Sequence, residues 1–84
     1  MDKNFIFYRN KFTTEFINLS DNELIRCFNN SVGIRAFNVA RSGMFAAYRI
    51  QFNIRNIDFS EIGDGNYMSF KDQVVLKGKK LIKS

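Results

Sequence analysis

Arg35 and Arg49 share one polar stripe with Asn38, Ser42, Asn53 and Asn56, and the stretch between Glu23 and Asp58 holds five arginines and no acidic residue. A guanidinium presents a planar fork of donors that fits phosphate or carboxylate oxygens two at a time. Interleaved Asn and Ser side chains donate to the same oxygens or to base edges. That is recognition chemistry rather than bond-making chemistry. A second basic cluster, Lys77, Lys79, Lys80 and Lys83, supplies mobile point charges suited to following a polyanion. The expected partner-binding residues are therefore Arg35, Asn38, Ser42, Arg49, Asn53, Asn56, Lys77, Lys79 and Lys80. No residue is assigned to catalysis.

Other chemistry is excluded by what the chain lacks. It has no histidine and a single cysteine, Cys27, which rules out an internal disulfide, a Cys-rich zinc site and any His-based triad or metal site. No cofactor and no metal is expected. Cys27, between Ile25 and Phe28, reads as a small buried apolar residue. Gly63-Asp64-Gly65-Asn66 lacks both the Gly-Lys-Ser/Thr ending of a phosphate loop and the spaced carboxylates of a calcium loop, so it reads as a turn. Tyr8, Tyr48 and Tyr67 are expected in or at the edge of the core.

The stripe needs a helix to hold it. Counting at 100° per residue from Ile34 to Asn56 puts Ile34, Phe37, Ala40, Met44, Phe45, Tyr48 and Phe52 in one broad arc and Ala36, Val39, Gly43, Ala47, Ile50, Ile54 and Ile57 in the next. A helix apolar around most of its girth is buried, and the stripe is what remains. Arg41 and Arg55 fall inside the core-facing arc, where an unpaired guanidinium is costly, so internal pairing with Glu15, Glu61 or Asp58 is expected. Gly43 in a helix interior implies a kink or the close approach of another backbone.

A shorter helix precedes it. Ser20 and Glu23 have the spacing of a capping box, Leu19 and Leu24 that of a hydrophobic staple, so a helix begins at Asp21. The Asn29 to Gly33 cluster ends it. "NFIFY" (4–8) and "FTTEFINL" (12–19) read as two strands joined by a turn, although Phe12 and Phe16, four apart, also permit a helical turn in the second. "YMSF", "QVVL" and "KLIK" read as short strands separated by Lys71-Asp72 and Lys77-Gly78-Lys79. Strands, helix, long helix, strands make an α+β protein, a small antiparallel sheet covered on one face by two helices.

At 84 residues, with no repeat and no linker, residues 1–84 form one domain. Ten Phe and three Tyr allow so small a chain to build a core. The N-terminal stretch lacks a signal peptide's pattern and no apolar run reaches the length of a membrane span, so a cytoplasmic protein with no membrane partner is expected. The net charge of +5 makes polyanions or acidic protein surfaces the expected partners. The absence of proline and the richness in Asn, Ile, Lys and Phe fit an AT-rich genome or mobile element.

Size, basicity, aromatic density, missing histidine and this composition together resemble small phage or prophage anti-defence proteins, anti-CRISPR inhibitors among them. The resemblance implies a non-enzymatic, stoichiometric inhibitor of a defence nuclease. Being basic, it would engage RNA, the RNA-loaded complex or an acidic surface of the nuclease. The partner so implied is a nucleic acid, RNA rather than DNA, or a nuclease or ribonucleoprotein. Two further readings stand beside it. The strand, helix, helix, strand order and basic charge resemble RelE-type endoribonuclease toxins, which use Arg, Lys and Tyr. The second apolar arc, Val39 to Ile57, would suit the subunit interface of a homodimer.

Overall fold

The computed structural model describes residues 3–33, 38–63 and 68–84. They form three helices, α1 (Lys3–Phe16), α2 (Asp21–Ser31) and α3 (Val39–Ile54), and an antiparallel hairpin of β1 (Val74–Lys77) and β2 (Lys80–Lys83). The α+β class and the antiparallel sheet with one buried face are as the sequence indicates. The element order is not.

Where two N-terminal strands are expected there is one helix. Phe5, Tyr8, Phe12 and Phe16 recur at intervals of three and four, so a helix brings all four to one face. Alternating Phe5 and Phe7 suit a strand as well, and β-propensity depends on what the side chains meet. Here they meet α3. A Cβ on Gly43 would lie 2.6 Å from the Cβ of Tyr8 and 2.7 Å from the Arg9 nitrogen. Further along, Phe16 stacks on Tyr48 with centroids 4.4 Å apart. The two helices therefore run side by side in the same sense. Of the two explanations for Gly43, close approach of a backbone is the one realised, within an uninterrupted α3.

The capping box at the start of α2 is present: Ser20 Oγ accepts from Glu23 N–H at 3.1 Å, and Glu23 Oε1 accepts from Ser20 N–H at 3.0 Å. The helix ends at Ser31, followed by Gly33 at φ 85°. Asn29, on its last turn, treats β1 as a strand neighbour would. Its Nδ2 donates to the Val74 carbonyl at 2.9 Å, and its Oδ1 accepts from Val74 N–H at 2.8 Å. This satisfies an edge that would otherwise be open.

In the hairpin, Lys77 pairs with Lys80 around Gly78-Lys79, and Gly78 has φ 61°. A positive φ at the first central position suits the twist of a two-residue hairpin turn, and only Gly takes it without strain. The expected strand at "YMSF" is reduced to one bridge, Met68 to Gly63; the Asp64-Gly65-Asn66 turn and Tyr67 lie outside the described residues. Asp58 forms a parallel bridge to Lys80 beside β2.

One hydrophobic cluster joins these parts: Phe16 of α1, Leu24, Ile25 and Phe28 of α2, Ala47, Tyr48 and Phe52 of α3, Ile57, Phe59, Ile62, Met68 and Phe70 between α3 and β1, and Val74 and Leu81 of the hairpin. Its interior is aromatic, with Phe28 against both Tyr48 and Phe70. Cys27 is half-buried at the margin of this cluster rather than within it.

Candidate interaction surface

α3 positions the stripe. Its wheel is occupied on one side by α1, through Gly43 and Ala47, and on another by the core, through Tyr48 and Phe52. Asn38, Ser42, Arg49 and Asn53 fall within about 60° of each other on what is left, at 100° per residue. Asn38, Ser42 and Asn53 are exposed and Arg49 is half-buried. Ser42 and Asn53 are about 17 Å apart along the axis at 1.5 Å per residue. Arg35, with the core-arc residues Ile34 and Phe37 and with Ala36, lies outside the described residues.

Two of the stripe's asparagines have local work. Asn38 is the N-cap of α3, its Oδ1 accepting from Arg41 N–H at 2.9 Å. Asn56 follows the C-cap at φ 57°, a left-handed position that Asn tolerates better than most residues. The Asn38 amide nitrogen keeps its donors, but the placing of these two residues follows from helix ends. Their sequence signal was their place at the helix ends, Asn38 one residue before α3 and Asn56 two residues after it.

The two arginines of the core-facing arc are accommodated differently. Arg55 is paired, as expected, but with a different acid: Nη1 meets Asp21 Oδ1 at 3.0 Å, where Glu15, Glu61 or Asp58 is the sequence expectation. Its Nη2 donates to the Phe16 carbonyl at 3.0 Å and its Nε to Gln51 Oε1 at 3.2 Å. Arg41 lies over the rings of Phe45 and Phe70, 4.9 and 5.9 Å from their centroids. A cation over an aromatic face is attracted by the ring quadrupole.

The lysines divide in the same way. Lys79 Nζ donates to the Arg55 carbonyl at 3.1 Å, placing a cation on the C-terminal end of α3, where the helix dipole favours it. This also brings the hairpin turn against the end of the stripe, next to Asn53 and Asn56. Lys77 and Lys80 are exposed and directly opposed across the ladder, an arrangement that costs stability unless an anion relieves it. Asp58 supplies part of that relief. The Ser60 backbone N–H, 2.8 Å from Oδ1, and the Ser60 hydroxyl hold its carboxyl below the ordinary range, with a smaller contribution from Lys80.

Five of the carboxylates have partners within the fold. Asp21 serves Arg55, Glu23 the capping box, Asp58 Ser60; Glu61 accepts from Lys83 N–H at 3.3 Å, and Glu15 faces Lys11 at 3.8 Å. Among the described residues no group of three His, Cys, Asp or Glu could hold a metal ion, and no helix is long and apolar enough to cross a membrane. Tyr48 is buried, and desolvation pushes its phenol up to about 12, so it stays protonated and packs as a core residue.

The strand, helix, helix, strand order behind the RelE-type resemblance is not the order found, since residues 3–16 form α1. Of the second apolar arc, Gly43, Ala47 and Ile57 are buried, Val39 and Ile50 half-buried and Ile54 66% exposed, with Ala36 outside the described residues. Sequence reasoning also missed a ridge on α1: Lys3, Phe7 and Lys11, four apart and all exposed once this segment is helical. Spacing alone could have found it. The chain matches no known family model, no curated protein sequence and no solved structure.

Proposed function

We propose that this is a non-enzymatic binding protein that docks the polar arc of α3 and the neighbouring hairpin lysines on a nucleic acid, RNA rather than DNA, or on a nuclease loaded with it. In that role it acts as a stoichiometric inhibitor of a host defence nuclease of the CRISPR type. The observation that carries the reading is the division of α3. Two of its sides are taken by α1 and the core, and the third presents Asn38, Ser42, Arg49 and Asn53 without a carboxylate in sequence from Leu24 to Ile57. Donor-rich, cation-bearing surfaces of this kind position a protein on phosphate oxygens.

The test is capture of partners by the tagged protein from cells carrying a defence nuclease, with and without ribonuclease treatment, followed by a salt titration. Capture of an RNA-loaded nuclease, lost after ribonuclease and falling steeply with ionic strength, is the expected result, because phosphate contacts release counterions. Salt-insensitive capture of a nucleic-acid-free protein would overturn it.

A further inference from the structure

We propose that the outward face of α1 is a stacking platform for an unpaired base of single-stranded nucleic acid, with Phe7 as the platform and Lys3 and Lys11 as flanking phosphate contacts. The inference rests on the reading that the partner carries nucleic acid, but it places a contact on a different face from the α3 arc.

On the α1 wheel Phe7 lies opposite Phe16, the residue that anchors the helix in the core, so its ring points away from the protein and is 61% exposed. Tyr8 meets it edge-on, with centroids 5.2 Å apart and planes at 82°. That contact steadies the ring. Lys3 and Lys11 stand one turn to either side, about 6 Å along the axis at 1.5 Å per residue, on the same ridge. The remaining positions of this arc, Asn4, Asn10 and Thr14, are polar and uncharged. Glu15 lies at its border and meets only Lys11, at 3.8 Å, a surface pair of little strength.

A lone exposed Phe is ordinary on a soluble protein. A ring held between two cations at one-turn spacing is different, because stacking on a base and charge on the adjoining phosphates are the two elements of single-strand binding. The arc suits other partners less well. A helix lying on a membrane offers lipid its apolar face, and here that face is buried on α3. A subunit interface needs a contiguous apolar patch, and this arc has one ring among polar groups.

The chain has no tryptophan, so Phe7→Trp introduces a single indole at the platform. Its fluorescence should be quenched in a saturable way by an unstructured oligouridylate, and an abasic strand of equal length should bind about tenfold more weakly. Phe7→Ala should bind the oligouridylate about tenfold more weakly than the wild type. Replacing Lys3 and Lys11 with Gln should lower the salt slope by about 1.4, or 0.7 per lost phosphate contact. Equal affinity for abasic and uridylate strands, or an unchanged Phe7→Ala, overturns the platform. If Arg49→Glu still abolishes binding in that case, the α3 reading stands alone. Failure of the wild type to retain any nucleic acid overturns both. Quenching by anionic lipid vesicles, or self-association that Phe7→Ala abolishes, assigns the ring elsewhere and overturns the platform.

Discussion

Arg55 Nη1 lies 3.0 Å from Asp21 Oδ1, joining the C-terminal end of α3 to the first turn of α2. The same guanidinium holds the Phe16 carbonyl at the end of α1, and the Arg55 carbonyl receives Lys79 from the hairpin turn. All four parts of the fold meet at one residue. The Arg55 side chain is 14% exposed and Asp21 40%, so the arginine is the more deeply committed partner. Arg55→Ala should cost about 3 kcal/mol, since it leaves a buried carbonyl and the Gln51 oxygen without donors. Asp21→Asn should cost about 1 kcal/mol. Arg55→Lys should recover little, because an ammonium cannot reproduce the fork. Urea midpoints measure all three, and a stable Arg55→Ala would show the junction to be dispensable.

Gly43→Ala sets helix propensity against packing. Alanine favours an exposed helix by about 1 kcal/mol over glycine. The added methyl would stand 2.6 to 2.9 Å from Tyr8 Cβ, Arg9 N and Tyr8 C, two of which are backbone atoms that cannot step aside. Overpacking of this kind costs about 1–3 kcal/mol, so the variant should unfold at a lower temperature than the wild type. A raised melting temperature would mean that α1 does not rest on α3.

Alkaline pH should weaken the fold through Tyr48. Burial raises its phenol from 10.0 to about 12, so between those values the unfolded chain has lost a proton that the folded one keeps. The Tyr48 contribution is fully present below pH 10 and declines as pH rises toward 12. Urea midpoints from pH 9 upward should fall more steeply for the wild type than for Tyr48→Phe. Parallel curves would show that the phenol is not desolvated.

Arg49→Glu reverses the cation of the α3 arc and should abolish retention of the partner beyond any loss that a change in stability explains. Binding of labelled RNA or of the loaded nuclease, beside a urea titration of the same variant, separates the two effects. Undiminished binding would remove the α3 arc from the function.

Much of the fold was legible where the determining contacts are short in sequence. The Ser20–Glu23 capping box, the strands flanking Gly78 and the apolar arcs of α3 are set by residues a few positions apart. The polar arc itself followed from counting. Only the tertiary structure decided that residues 3–16 are helical, because an aromatic run satisfies either period until something covers one face, and α3 does so. It also decided that Arg55 takes Asp21 rather than any of three other carboxylates, and that Lys79 serves a helix end. A sequence can state that a buried guanidinium needs a partner. Which one it finds depends on how the helices cross, a matter of packing between segments tens of residues apart.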